Sequence, residues 1–254
     1  MAKDWKTAQI KEKEFWKNIY LTEAKDDVYR KTASKGWKDF AEEILSRNNI
    51  EKQFLNNKVI LDLGSGPAGV AKGIHEMIKN NEIQNCNVIA TDPLMEFYKN
   101  DIGILKEDEN LKLFSDKGET LNLKDNSVDI IISTNVLDHC EDVDRLISEA
   151  YRVLKPNGFF FPSVHLVYNY LTPLSSLIKY FDTNHPNHFT NFKLVKKLQL
   201  KFSKIETVNI YSIKHDQKNF TFINIFKSKN FLRSVKRFIS NYILYTSYFK
   251  CIKH

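Results

Sequence analysis

The most constraining stretch of the sequence is V-I-L-D-L-G-S-G-P-A-G-V, which runs from Val59 to Val70. A short apolar run interrupted by one aspartate leads into three glycines, and a helical pattern begins after them. This pattern predicts a buried strand that turns sharply into a helix. Glycines leave the backbone of the turn open to a bound molecule, and the first turn of the helix directs its free N–H groups there. The sequence therefore predicts a ligand site at this turn.

A second predicted strand, Val88–Thr91, also leads to an acid, Asp92. The glycines at 64, 66 and 69 fit the G-x-G-x-x-G spacing of dinucleotide sites, a spacing that also occurs in turns that bind nothing. Two parallel strands joined by a helix bring their carboxyl ends to one edge of a sheet. We therefore expect Asp92 to reach the two hydroxyls of a ribose held above the glycine turn.

Three later segments follow the glycine turn in a fixed order: K-G-E-T-L-N-L at 117–123, D-I-I-I-S-T-N-V-L-D-H at 129–139 and R-V-L-K-P-N-G-F-F at 152–160. Together with the turn, they resemble the motifs of the class I S-adenosylmethionine-dependent methyltransferases, in particular the broad subgroup that methylates quinones, sugars and other small metabolites. The likeness spans residues 55–213. It implies S-adenosylmethionine as cofactor and a Rossmann-like α/β fold: a seven-stranded, mostly parallel sheet with helices on both faces and an antiparallel last strand.

The resemblance also implies a cofactor site, made by Asp62, Gly64, Ser65, Gly66, Asp92, Pro93, Leu94, Gly118, Glu119 and Asn135. The glycine turn would approach the methionine part of the cofactor, with Asp62 near its amino group. Asp92 would hold the ribose hydroxyls, and Gly118 and Glu119 would border the adenine. The chain departs from the family pattern at Lys117, which stands where an acid often precedes the small residue of the adenine loop.

Histidines are the candidate bases, because a neutral imidazole can accept a hydroxyl proton near physiological pH. The candidates are His139, His185 and His188, with His165 as a further one. His139 is placed best, since its loop borders the cofactor pocket in the family. No metal site is predicted, because His185 and His188 have no placed carboxylate or cysteine beside them and the intervening proline precludes a helical ligand pair.

Alternating strands and helices predict one α/β domain. Strands are expected near 58–63, 87–92, 111–114, 127–134 and 158–164, with later strands at 204–214 and 245–252. Residues 1–55 would form a helical lid, 56–165 the cofactor-binding core, and 166–254 the acceptor-side loops, the last two strands and a basic helical insertion. By resemblance, Trp16, Tyr20 and Tyr29 would lie over the cofactor as lid residues; the alternative is that these aromatic residues anchor a helix to the sheet.

Positive charge is concentrated at one end of a chain whose formal net charge is +7. From Asn191 onward there are 14 Lys and Arg against two acids, whereas the rest has 24 against 29. A basic amphipathic helix predicted over 231–243 would lie on a membrane surface or pack on its own sheet. We expect a small-molecule acceptor, with a phosphate-bearing or lipid-linked one as a further hypothesis.

Three cysteines without a C-x-x-C pair and an N-terminus unlike a signal peptide lead us to expect a cytoplasmic protein. Three rival hypotheses stay open. The glycine turn and Asp92 would also suit an NAD-dependent oxidoreductase. The basic last quarter would suit a nucleic-acid-binding protein or RNA methyltransferase, and the fold would also suit a protein that binds the cofactor without catalysis.

Overall fold

The computed structural model describes residues 5–21, 36–170, 187–212 and 244–254. Its helices are α1 (Trp5–Leu21), α2 (Trp37–Arg47), α3 (Gly69–Lys79), α4 (Val143–Val153) and α5 (Asn191–Leu198). Its strands are β1 (Val59–Leu63), β2 (Asn87–Thr91), β3 (Leu111–Phe114), β4 (Val128–Thr134), β5 (Leu154–Val167), β6 (Phe189–Thr190), β7 (Lys204–Ser212) and β8 (Leu244–Ile252). A short 3₁₀ turn, Lys52–Leu55, and a π-helical turn, Phe97–Asp101, lie between them.

One sheet runs through the described residues in the order β3-β2-β1-β4-β5-β8-β7. The strands from β3 to β5 are parallel, and β8 is antiparallel to both of its neighbours, β5 and β7. The two-residue strand β6 pairs with the end of β5 and brings the strand count to eight. The predicted fold class is therefore confirmed, with one short strand beyond the seven expected.

Apolar side chains point to both faces of the sheet because helices cover both. Ile60 of β1 packs with Ile44 of α2 and Ile74 of α3, whereas the next residue, Leu61, packs with the α4 side. Successive side chains of β1 therefore belong to two separate hydrophobic cores, one on each face of the sheet. Asp62 follows on the α2–α3 face and is almost fully buried there.

The boundaries of α4 come from polar contacts. The Asp142 carboxylate accepts a hydrogen bond from the backbone N–H of Arg145 at 3.0 Å, which caps the first turn. The sequence predicts that this helix closes with Lys155 and stops at Pro156-Asn157-Gly158, but the helix ends at Val153 and β5 follows at once. Its last carbonyls are satisfied by Lys253, whose Nζ lies 2.7 Å from the oxygens of Tyr151 and Leu154.

The end of the described chain follows the predicted pattern. Thr190 caps α5 by accepting the backbone N–H of Lys193 at 3.4 Å, and the expected strands at 204–214 and 245–252 are β7 and β8. The predicted basic helix at 231–243 and the lid residue Tyr29 lie outside the described residues. No helix in the described ranges has the length and apolar character that crossing a membrane requires.

Helices α2 and α3 approach each other closely at Gly73. A Cβ at this position would lie 2.1 Å from the carbonyl oxygen of Trp37 and 2.4 Å from Cβ of Ala41. Both neighbours belong to α2, and one of them is backbone, so neither can move without shifting the helix. The close helix pair on the glycine-turn side of the sheet therefore requires a glycine here.

We expect Gly73→Ala to destabilise the protein by about 1–3 kcal/mol, the usual cost of overpacking a core. The gain of up to about 1 kcal/mol in helix propensity would not offset this cost. Urea unfolding followed by circular dichroism measures the change. Lys79→Ala, at the exposed end of the same helix, should stay within about 0.5 kcal/mol of the wild type. A Gly73→Ala protein as stable as the wild type would contradict the packing argument.

Candidate functional site

The turn between β1 and α3 has the open backbone that its glycines predict. Gly64 and Gly66 have φ angles of 66° and 54°, and Ala68 adopts the left-handed conformation just before α3. A Cβ at Gly64 would lie 2.5 Å from Cγ2 of Val136, so the loop after β4 packs directly against the turn. The turn is also bonded to β2, because the N–H of Ser65 donates to the carbonyl of Thr91 at 2.9 Å.

Asp92 fixes the turn from the end of β2. Its Oδ2 accepts the N–H of Gly66 at 2.9 Å, and its Oδ1 accepts the N–H of Leu94 at 2.8 Å. The side chain is only 6% exposed, and burial together with the negative charge of Glu12 raises its pKa to about 7. Each carboxylate oxygen has a second lone pair, so Asp92 can accept ligand hydroxyls while it holds the turn.

Asp62 is part of β1 and lies on the same face of the sheet, next to the first turn of α3. Its Oδ2 accepts the N–H of Ala71, in the first turn of the helix, at 2.9 Å. Burial raises its pKa to about 7 as well. The site thus holds two buried carboxyl groups below the glycine turn, a suitable environment for a ligand that carries an amino group and hydroxyls.

The loop after β3 is positioned by Gly118 and Glu119. A Cβ at Gly118 would lie 2.7 Å from Cδ1 of Leu146, so the loop rests on α4. Oε1 of Glu119 accepts the N–H groups of Glu141 and Asp142 at 2.7 and 3.2 Å. Its carboxylate therefore joins this loop to the residues that begin α4, a contact that the sequence reasoning missed because the partners are 22 and 23 residues away. Contact with adenine stays a prediction for both residues.

The loop after β4 carries the predicted residue Asn135 and the candidate base His139. Asn135 has a φ of 55°, and its N–H donates to the carbonyl of Ser163 on β5 at 2.9 Å. Asn187 donates its side-chain amide to the carbonyl of Cys140 at 2.8 Å, so the segment containing His188 is bonded to the loop containing His139. The third candidate, His185, lies outside the described residues.

Pro93 and Leu94 follow Asp92 directly. The carbonyl of Pro93 accepts a hydrogen bond from the hydroxyl of Ser115 at 3.3 Å, which connects the end of β2 to the end of β3. Leu94 is half-buried and packs against the core on the α2–α3 side. Both residues lie at the carboxyl edge of the sheet, where the resemblance puts the adenine.

Helix α1 lies across this edge. The Lys117 ammonium lies 3.6 Å above the ring of Trp5, and Lys13 pairs with Asp101 at 3.3 Å. Trp16 lies against the glycine turn, 3.7 Å from where a Cβ of Gly66 would stand. The helix therefore spans the ends of β1, β2 and β3 and covers the predicted cofactor site.

Beneath α1 are buried polar atoms that have no hydrogen-bond partner among the described residues. They include the hydroxyl of Tyr98, a fully buried side chain, and Oε1 of Gln9. Burial and the charges of Asp92 and Glu12 raise the pKa of Tyr98, which places this hydroxyl near both acids. Unpaired buried polar groups are costly, so the residues present fit a polar, hydroxyl-bearing ligand between α1 and the sheet.

Comparison with known proteins adds a family match over the central sheet. Residues 61–161 match the family described as "Methyltransferase domain". A curated relative, the ubiquinone/menaquinone biosynthesis C-methyltransferase UbiE of Rickettsia prowazekii, is 30% identical over 130 residues. This alignment covers 49% of the chain and 48% of the relative, so the chain matches about half the length of that protein.

Solved structures share the fold at low sequence identity. A candidate sarcosine dimethylglycine methyltransferase from Galdieria sulphuraria has a TM-score of 0.60 at 16% identity, covering 96% of this chain and 98% of that one. Phosphoethanolamine N-methyltransferase 2 of Haemonchus contortus, solved with phosphomonomethylethanolamine and S-adenosylhomocysteine, has a TM-score of 0.56 at 20% identity, covering 85% and 52%.

Replacing Asp92 by alanine should weaken binding of S-adenosylhomocysteine by about 100-fold or more. The reason is the loss of two hydrogen bonds to a charged acceptor, each worth roughly 1.5–3 kcal/mol. Calorimetric titration measures the affinity, and a thermal melt reports on folding, since Gly66 and Leu94 also lose their acceptor. Asp39→Ala, an exposed acid on α2, is the control for net charge. Undiminished affinity in a folded Asp92→Ala protein would refute the assignment.

Binding should also depend on pH, because hydroxyl donors favour the ionised form of Asp92, whose pKa in the free protein is about 7. We expect affinity for S-adenosylhomocysteine to fall about tenfold as the pH drops from 8 to 6. The stability of the ligand-free protein should instead fall as the pH rises. Folding raises the pKa of Asp92, so the protonated carboxyl stabilises the fold at low pH, and this contribution is lost as the pH rises through 7. Calorimetry and urea unfolding at pH 6, 7 and 8 measure both, and flat profiles would contradict this interpretation.

Proposed function

We propose, on the premise that residues 61–161 form a class I S-adenosylmethionine-dependent methyltransferase domain, that the protein transfers a methyl group to a hydroxyl of a small molecule. The domain match and the relative support the family and the cofactor that the sequence predicts. The activity and the acceptor are our proposals. The acceptor class we favour is a sugar or another polar metabolite.

The roles of the residues follow from their contacts. When bound, S-adenosylmethionine supplies an electrophilic methyl group on a sulfonium. The glycine turn and Asp62 would bind its amino-acid part, and Asp92 would accept its ribose hydroxyls. Glu119 would act as a positioning residue, since it joins the loop after β3 to the start of α4. Methyl transfer is an in-line displacement, so alignment by these groups is the main contribution of the protein.

The observation that carries the proposed acceptor class is a group of unpaired polar atoms beside the glycine turn. Thr134 at the end of β4 and Ser163 within β5 are register partners, and Asn135 follows Thr134. Their side-chain oxygens are buried and have no hydrogen-bond partner in the described part of the chain. Such a lining favours an acceptor that carries hydroxyls over an apolar one, because the acceptor would satisfy these groups.

A base near this lining would remove the hydroxyl proton. His139 and His188 lie on segments that Asn187 joins. His165 follows Ser163 by two residues on β5, so both side chains point to the same face, and its Nδ1 lies 2.9 Å from the hydroxyl of Thr246. We propose that one of these three histidines accepts the proton, with His139 as first choice because its loop also packs on the cofactor turn.

A second candidate is carbon methylation of a quinone precursor, which the name of the Rickettsia relative favours. The remaining hypotheses rest on the positive charge of the last quarter of the chain. They are a phosphate-bearing or lipid-linked acceptor, a membrane contact and nucleic-acid binding. Half of the 14 Lys and Arg of this quarter lie in residues 213–243, outside the described ranges. These hypotheses stay open beside the proposal.

The first test is calorimetric titration with S-adenosylmethionine, S-adenosylhomocysteine and NADH. We expect saturable binding of the first two and none of the third, because the domain match and the two carboxyl groups fit a methionine-bearing nucleoside. Transfer of a labelled methyl group to a panel of hydroxylated metabolites and quinone precursors then assigns the acceptor class. Binding of NADH alone would overturn the proposal in favour of an oxidoreductase, and label in carbon-methylated quinones alone would select the second candidate.

A further inference from the structure

The inner face of α1 has polar residues where an ordinary lid helix would be apolar. Among the α1 side chains that the structure describes, the half-buried ones are Trp5, Gln9, Glu12, Trp16 and Tyr20, a spacing that puts them on one face. Ile10 and Phe15 are 60% and 40% exposed on the outer side. Aromatic residues at both ends of the inner face agree with burial of apolar surface, but Gln9 and Glu12 at its middle do not and need another explanation.

The contacts made at the two ends of this face indicate which part of the site its middle lies over. Trp5 lies under the ammonium of Lys117 in the loop after β3, and Trp16 lies against Gly66 in the glycine turn. At about 1.5 Å per residue, the eleven steps along the helix from Trp5 to Trp16 span roughly 16 Å. The helix thus runs between the predicted adenine end and the predicted methionine end of the cofactor. Gln9 and Glu12 lie between them, where the ribose would be.

Glu12 and Asp92 are close enough for their charges to interact. Besides burial, Glu12 contributes to raising the pKa of Asp92 and of the buried Tyr98 hydroxyl. Two carboxylates whose charges interact at a partly buried site repel unless a donor or a cation lies between them. The unpaired atoms nearby, Oε1 of Gln9 and the hydroxyl of Tyr98, mark the same space as one that lacks a polar partner.

We infer that Glu12 is a cofactor-binding residue, whose carboxylate accepts a ribose hydroxyl from the side opposite Asp92. Hydroxyl donors between the two acids would replace a repulsive contact by hydrogen bonds to charged acceptors, which are stronger than neutral ones. Closure of α1 is then favoured by a nucleoside with its hydroxyls and disfavoured by an empty site. This inference rests on the proposed function, since it takes the ligand to be S-adenosylmethionine.

The test compares Glu12→Ala with Glu14→Ala, which removes the same charge from the exposed face of the same helix. Alanine preserves helix propensity at both positions. The probes are S-adenosylhomocysteine and its 2′-deoxy and 3′-deoxy analogues, titrated calorimetrically into the wild type and both variants. We expect Glu12→Ala to bind S-adenosylhomocysteine about tenfold more weakly, and Glu14→Ala to bind within about twofold of the wild type.

The decisive readout is the penalty in binding affinity for removing a ribose hydroxyl, that is, how much more weakly each deoxy analogue binds than S-adenosylhomocysteine. In the wild type and in Glu14→Ala both deoxy analogues should bind more weakly than the parent ligand, whereas in Glu12→Ala one of these penalties should largely disappear. A purely structural role for Glu12 would weaken all three ligands equally and leave both penalties intact, and this result would overturn the inference. Failure of the wild type to bind S-adenosylhomocysteine at all would overturn the proposed function, and the inference with it.

Discussion

The carboxylate of Asp92 is the contact on which the organisation of the site depends. It is bonded to the N–H groups of Gly66 and Leu94, and so it fixes the glycine turn of one strand to the end of the next. Burial of this charge is unfavourable, and the two backbone donors offset only part of the cost. A ligand that adds hydroxyl donors would complete the offset. Binding of such a ligand would thus relieve an electrostatic strain that the fold alone retains.

Several elements of this arrangement could be predicted from local sequence. The apolar run before Gly64 and the acid after Val88–Thr91 were enough to place two parallel strands and the turn between them, because strand, turn and helix signals there are contiguous. Thr190 marked the start of α5 through its capping chemistry, and alternation over 204–214 marked β7. The fold class, including the antiparallel last strand, followed from the family that the ordered motifs resemble.

Contacts between distant segments could not be predicted in this way. Nothing in the sequence near Glu119 indicates that its carboxylate caps residues 141–142, or that Lys253 satisfies the last carbonyls of α4. The orientation of α1 could not be predicted either, because its Ile10 and Phe15 lie outside while Glu12 lies inside. A helical pattern says which residues share a face. It does not say whether that face meets a core or a ligand, and so Gln9, Glu12 and Tyr98 were not among the predicted site residues.

The position of β8 has a consequence for how the chain reaches its native state. Strands β1 to β5 pair with one another without it, whereas among the described strands β7 pairs only with β8. The edge of the sheet therefore assembles only after residues 244–252 have been synthesised, and until then both β5 and β7 have unpaired backbone groups. Non-local pairing of this kind is slow and leaves strand edges open to other chains. During translation, the half of the sheet that forms the glycine turn can thus fold well before the other half is protected from aggregation.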